Sequence, residues 1–257
     1  MLLAIDIGNT NITLGIWDGR YWQREWRLNT DSERTADEFG IMLTTLLGQA
    51  QLSNAIDSVI LSSVVPRLTS TFYQLCRAYL QLEPLIVSAQ TDSGVQIRTD
   101  NPTEVGADRI VNAAAAYHLV QGPCIVVDMG TATTFDVISG RGELLGVVIA
   151  PGLRLAADAL VSRAAQLAHV PLQAPPQAIG RNTVQAMQSG LIFGYVALIE
   201  GMIQRLMTEH PDGDHHIQVI GTGGLISLLQ PHTTIIDRFE PWLTLTGLRI
   251  IHERAAL

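Results

Sequence analysis

Two short acidic turns carry the first chemical signal in this chain. Asp6 ends an apolar run, Leu2-Leu3-Ala4-Ile5, and Ile7-Gly8-Asn9-Thr10-Asn11 follows before alternation resumes at Ile12, Leu14 and Ile16. The design returns at Ile125-Val126-Val127-Asp128-Met129-Gly130-Thr131-Ala132-Thr133-Thr134 and runs on through Phe135 to Ile138. Asp6 matches Asp128 and Gly8 matches Gly130 at one offset of 122 residues (128 − 6). Each copy reads as strand, tight polar turn, strand. Glycine lets successive backbone N–H groups converge on one anion. The small side chains of Asn9, Thr10, Asn11, Thr131, Thr133 and Thr134 add donors without blocking a phosphate. Carboxylates repel phosphate, so Asp6 and Asp128 make sense as ligands, direct or through water, for the cation that accompanies a nucleoside triphosphate. A single copy could be an ordinary hairpin; two in register favour phosphate and imply two related halves.

A third candidate is Val105-Gly106-Ala107-Asp108-Arg109, ahead of an alanine-rich helix from Ile110 to Leu119. Such a pair is either a capping carboxylate with a surface arginine or a base beside an anion anchor. In the second case Asp108 accepts a hydroxyl proton while Arg109 grips a carboxylate or phosphate. Near the C-terminus, Gly221-Thr222-Gly223-Gly224 follows a strand and precedes a helix start, so a backbone there can lie flat beneath an adenine or ribose. As a dinucleotide fingerprint it fails, because its third glycine position is Ile226. His210, Asp212, Asp214, His215 and His216 tempt a metal reading but lie on a Pro/Gly loop without fixed ligand spacing, and read as solvated.

Composition narrows the chemistry. The chain has no lysine: all sixteen basic residues are arginine. A P-loop lysine, the lysine of protein-kinase sites and Schiff-base catalysis are therefore excluded. A net charge of −8 argues against a general nucleic-acid binder. With 47% hydrophobic and 16% charged residues, 257 residues build a substantial core in one large or two ordinary domains. Cys76 in a helical pattern and Cys124 at a strand start read as buried reduced thiols. Asp6 interrupts the first apolar run and no basic region precedes it, so no signal peptide or membrane anchor is read and cytoplasm is the default.

The elements that must position these residues follow in order. Arg20 to Leu28 reads as a third strand, and Thr35-Ala36-Asp37-Glu38 as a capping box ahead of a helix with Phe39, Met42, Leu43, Leu46 and Leu47 on one stripe. A strand from Ser58, a helix through Leu68 to Leu80, and a strand at Leu85 to Val87 complete the first half. Gly122-Pro123 marks the seam, giving halves 1–121 and 122–257. In the second half come a strand from Glu143, a helix from Leu153 to Leu167, a proline-rich loop from Ala168 to Ile179 and a long helix over about 184 to 208. Gly190, Gly194 and Gly201 on that helix argue, beside its Gln, Glu and Arg residues, for close packing in a soluble interface rather than a membrane.

Taken together, DIGNTN at 6–11, NPTEVGADR at 101–109, DMGTATTFD at 128–136, APG at 150–152, GRNT at 180–183 and GTGG at 221–224 resemble type III pantothenate kinase, in order and over essentially the whole chain. The resemblance implies an α/β fold of the actin-like, sugar-kinase superfamily. That fold has two ribonuclease-H-like halves with mixed sheets flanked by helices, and an active site in the cleft between them. It implies a homodimer that phosphorylates the terminal hydroxyl of pantothenate with ATP, the first committed step toward coenzyme A. Residue by residue, Asp6, Ile7, Gly8, Asn9, Thr10, Asn11, Ile12 and Thr13 would form the first phosphate turn, and Thr131 would meet ATP from the second. Asp128 would hold a monovalent cation, potassium or ammonium. Gly106, Ala107, Asp108, Arg109 and Thr183 would line the pantothenate pocket, with Asp108 as proton acceptor, while Gly221, Gly223 and Gly224 match the adenosine motif. Magnesium accompanies ATP, and Asp6 is placed to orient it because it ends a strand beside the phosphate turn. Two other readings stand beside this one. One is a kinase of the same superfamily for another small hydroxyl compound. The other, a nucleotide-binding regulator without turnover, has the Asp108-Arg109 pair and the acidic charge against it.

Overall fold

The opening apolar run forms β1 (Leu2–Ile7), antiparallel to β2 (Asn11–Trp17), which is antiparallel in turn to β3 (Trp22–Asn29). Next comes α1 (Ala36–Gln49), started by a reciprocal capping box: the Thr35 hydroxyl accepts from the Glu38 N–H, and the Glu38 carboxylate accepts from the Thr35 N–H. β4 (Ser58–Ser63) lies parallel to β1. Pro66, three residues past that strand, opens α2 (Pro66–Leu75), where its missing N–H is no loss at a first helical position. A π-type turn (Cys76–Leu80) extends α2 before β5 (Leu85–Ile86) pairs with β4, and the sheet order is β3-β2-β1-β4-β5. The short β6 (Gln96–Ile97) and a 3-10 turn (Pro102–Glu104) lead into α3 (Ala107–Val120).

The same plan then repeats. β7 (Cys124–Met129), β8 (Ala132–Ile138) and β9 (Glu143–Pro151) form an antiparallel meander, followed by α4 (Leu153–Arg163) and the long α5 (Thr183–Glu209). β10 (Gln218–Thr222) joins β7 in parallel and β11 (Arg238–Phe239) joins β10, so these strands run β9-β8-β7-β10-β11. Strand for strand and direction for direction, that is the order of the first sheet. The ribonuclease-H-like plan thus occurs twice, as two mixed sheets flanked by helices. A final helix, α6 (Leu243–Ala255), closes the described residues, 1–256.

The chain groups into two compact units, residues 1–115 with the stretch from Leu243 onward, and residues 116–242. In the first, alternation along β1 feeds two cores. Leu3, Ile5 and Ile7 pack with Phe39 of α1 and Phe72 of α2, whose ring centroids are 5.0 Å apart. On the opposite face, Leu2, Ala4 and Ile60 pack with Ile110, Val111 and Ala114 of α3 and with Leu245, Leu248 and Ile251 of α6. The Thr244 hydroxyl also donates to the buried Asn112 side chain of α3 at 2.9 Å. The unit boundary accordingly falls inside α3, between Ala115 and Ala116, whereas the sequence reading drew its seam at Gly122-Pro123 and left α6 with the second half. In the second unit, Ile125, Val127, Met129 and Phe135 pack on Leu191, Ile192, Tyr195, Ile199 and Ile203 of α5. By length and hydropathy α5 could cross a membrane, yet these residues bury one of its faces in the unit's core.

The histidine-rich loop is less solvated than its sequence implies. His210 is buried, with a ring nitrogen 3.2 Å from the Ile138 carbonyl, and its Nδ1 accepts from the Asp212 N–H. The Asp212 carboxylate in turn accepts from the Gly140 N–H at 2.8 Å, so the loop is pinned to the end of β8. Among the described residues no group of three or more His, Cys, Asp or Glu side chains is arranged to hold a metal.

Candidate active site

In the first unit the candidate chemistry collects at the carboxyl ends of β1 and β4. The β1–β2 turn is closed by the Gly8 N–H donating to the Asn11 carbonyl at 3.0 Å. Thr30 clamps it from β3's end: its hydroxyl donates to the Gly8 carbonyl at 2.7 Å and its N–H to the Thr10 carbonyl at 3.0 Å. Asn9, Thr10 and Asn11 are left exposed at the tip, while Ile7 and Ile12 are fully buried, so those two can meet a ligand only through their backbone. Asp6 sits just before the turn, in register with Thr13 on β2 and Ser62 on β4. Alternation puts all three on the α3 and α6 face, because their strand neighbours Ile7, Ile12, Leu14 and Leu61 belong to the other core.

Asp108 and Arg109 stand on that same face, in the first turn of α3 rather than before it. The Gly106 carbonyl accepts from the Arg109 and Ile110 N–H groups, which makes Gly106 the residue that starts the helix. A side chain at Gly106 would lie 2.6 Å from Asp108 Oδ1 and 3.6 Å from Val64, immediately after β4. Glycine is required there for the carboxylate to fold back over the helix start. Asp108 Oδ1 accepts from the Arg109 N–H at 2.8 Å, and Arg109 Nη2 donates to Asp108 Oδ2 at 2.9 Å. The pair is only partly exposed, 11% for the arginine and 28% for the carboxylate, so its charges are concentrated in a low-dielectric wall. Asp108 thus occupies the first helical turn, as the capping reading expects, but Arg109 is largely buried rather than a surface arginine.

The second unit builds an equivalent corner from four segments. Asp128 is in register with Thr134 on β8 and Thr222 on β10, just as Asp6 is with Thr13 and Ser62. Its turn is one residue shorter, and the Gly130 N–H donates to the Ala132 carbonyl at 3.0 Å. Exposed Thr131 sits at the tip. Two other motifs press on this turn. A Cβ on Gly152 would overlap the Thr131 carbonyl oxygen, and the Tyr195 hydroxyl holds the preceding Pro151 carbonyl at 2.9 Å. Gly223, at φ +93°, is close enough that a Cβ would lie 2.5 Å from Met129 N and 2.6 Å from Asp128 Oδ1. Gly152 and Gly223 are thus glycines because they pack on the β7–β8 turn, whereas Gly221 faces the Ile226 and Ile236 side chains. Thr183, first residue of α5, is exposed on a different element, behind the Asn182 cap that accepts from the Gln185 N–H.

Around each carboxylate the donor set is oxygen only, which suits hard cations such as magnesium and potassium and not thiophilic metals.

A family model for type III pantothenate kinase matches residues 2–205. The type III pantothenate kinase of Moorella thermoacetica is 49% identical over 255 residues, covering 99% of both chains. The chain belongs to the type III pantothenate kinase family. The Geobacter sulfurreducens member is 48% identical over the same length, again covering 99% of both. In fold, a 2-dehydro-3-deoxygalactonokinase-type protein of Sinorhizobium meliloti superposes with a TM-score of 0.63 at 14% identity, over 99% of this chain and 96% of that one. As a type III pantothenate kinase, this chain phosphorylates pantothenate with ATP and a divalent metal in coenzyme A biosynthesis. Four side chains of the pantothenate kinase corners escaped the sequence reading as site residues: Ser62 and Thr222, which flank the aspartates, Thr30, which clamps the first turn, and Tyr195. The first two lie on strands distant in sequence, and only the parallel register reveals them.

Proposed function

We propose that Asp108 accepts the proton of the terminal pantothenate hydroxyl while Arg109 holds the pantothenate carboxylate. The observation that carries this is the Asp108–Arg109 couple in the first turn of α3, on the same sheet face as Asp6. Phosphoryl transfer has a loose transition state, so most of the rate comes from positioning and from charge stabilisation. Arg109 fixes the substrate's anionic end with planar, charge-assisted hydrogen bonds, and Asp108 lies one residue away to take the hydroxyl proton. Backbone groups of the Asp6–Thr13 turn and Thr131 hold the phosphates, and the Gly221, Gly223 and Gly224 backbone lies beneath the adenosine. Ala107 is buried and contributes shape alone, and Thr183 adds a hydroxyl for the substrate.

Magnesium would be oriented by Asp6 and a monovalent cation, potassium or ammonium, held by Asp128; when bound, they supply the positive charge that lysine supplies in other kinases. We further assign a cytoplasmic homodimer with no nucleic-acid or membrane partner. The dimer reading is supported by Gly190, Gly194 and Gly201 of α5, whose α-carbons open onto free space, and by the exposed Ile179 and Val184 near its start.

The test is Asp108→Asn in a coupled assay for ADP release, with and without pantothenate and potassium. Loss of a general base lowers kcat by about 10²–10⁴-fold, with ATP affinity unchanged by calorimetry. Undiminished turnover removes Asp108 from the role.

A further inference from the structure

One polar atom on the Asp6 face is left without a role by the chemistry above. Ser62 is fully buried, and its Oγ has no hydrogen-bond partner among the described residues. It lies in register with Asp6 on the adjacent parallel strand, about 4.8 Å away, and on the same face, since Val59 and Leu61 point into the other core. The contrast with Ser63 is informative: that hydroxyl is used locally, accepting from the Val65 N–H at 3.1 Å and donating to the Val65 carbonyl at 3.2 Å. A buried hydroxyl with no partner destabilises a fold relative to alanine, so the position needs a reason for serine that the protein alone does not supply. The second unit repeats the arrangement, with buried Thr222 beside Asp128.

We propose that Ser62 is a positioning residue for the divalent cation that accompanies ATP. Its Oγ accepts a hydrogen bond from a water of the cation's hydration shell, a partner that arrives with the cation. Magnesium keeps several waters when it binds. Those waters are donors and need acceptors around them, and a hydroxyl oxygen has lone pairs to accept from one. This inference rests on the reading of Asp6 as the carboxylate that orients the cation.

The test compares ATP affinity of the full chain, without pantothenate, in magnesium chloride and in EDTA by calorimetry, alongside the thermal midpoint of the protein alone. In Ser62→Ala the magnesium-dependent gain in ATP affinity shrinks by about fivefold to tenfold. Its affinity in EDTA is unchanged and its thermal midpoint is equal to or above that of the wild type. Ser62→Thr, which keeps the hydroxyl, retains the gain. If Ser62→Ala keeps the full gain while Asp6→Asn loses it, Ser62 has no part in cation binding and the proposal falls alone. If neither variant changes the gain, the Asp6 reading falls and takes this one with it. A lowered thermal midpoint in Ser62→Ala with an intact gain shows a purely structural hydroxyl and overturns the proposal.

Discussion

Replacing Gly223 by alanine tests the claim that this glycine is needed for backbone to pack against the second acidic turn. At φ +93° an L side chain is strained, at roughly 1–2 kcal/mol. The added methyl also has nowhere to go, with Met129 N at 2.5 Å and Asp128 Oδ1 at 2.6 Å. Overpacking of this kind costs about 1–3 kcal/mol. The combined destabilisation is about 2–5 kcal/mol, which for units of this size lowers a thermal midpoint by about 4–20 °C without exceeding a typical stability of about 5–15 kcal/mol. The variant therefore folds, but the methyl displaces the Asp128 carboxylate or the 221–224 backbone. On the proposed reading of Asp128 as the residue that holds the monovalent cation, such a shift weakens cation binding by about 10–100-fold. Circular dichroism gives the midpoint, and the potassium concentration for half-maximal activity, measured well below that midpoint, gives the functional effect. Gly146→Ala is the control, since nothing lies within 4 Å of its Cβ. Wild-type values for both quantities in Gly223→Ala refute the crowding argument.

Burial pushes the Cys76 and Cys124 thiols from 9.0 up to about 12, with the Asp136 charge adding to the effect at Cys124. Both remain protonated in the folded chain, so neither reacts with a disulfide reagent at pH 8, and both react in denaturant. Because the folded values lie above the unfolded ones, stability is intact below pH 9 and falls as pH rises from 9 toward 12, measurable by urea titration across that range. For the homodimer proposed through α5, Gly194→Leu fills space that is open within one chain and is expected to shift sedimentation from dimer to monomer; a dimer as tight as the wild type removes that face from the proposed interface.

The duplicated Asp-x-Gly turn was legible because glycine and aspartate leave their signature locally. Its full extent was not. The first turn is one residue longer, so Thr13 and Thr134, which occupy the same place beside their aspartates, are separated by 121 residues (134 − 13) and not by the 122 that relates the aspartates. A fixed-offset comparison passes over them. Ser62 and Thr222 are further hidden, since parallel pairing joins segments dozens of residues apart and no local pattern announces the register. The Asp108–Arg109 pair was visible as a motif, but its position in the first turn of α3 depends on Gly106 starting that helix three residues before its apolar periodicity becomes evident. The α6 placement was unreadable for a similar reason: Leu245, Leu248 and Ile251 define a helical stripe without saying which sheet it covers.

That placement has a bearing on how the protein is made. A ribosome releases residues 116–242 as one uninterrupted block, while the sheet begun at Met1 stays short of Leu245, Leu248 and Ile251 until the C-terminal segment emerges. Vectorial synthesis ordinarily lets the N-terminal portion mature first; here the later-born block has all its residues before the earlier one does, and until then the face of β1 and β4 is covered by α3 alone. Severing the gene at the apparent seam would leave one fragment permanently missing its closing helix.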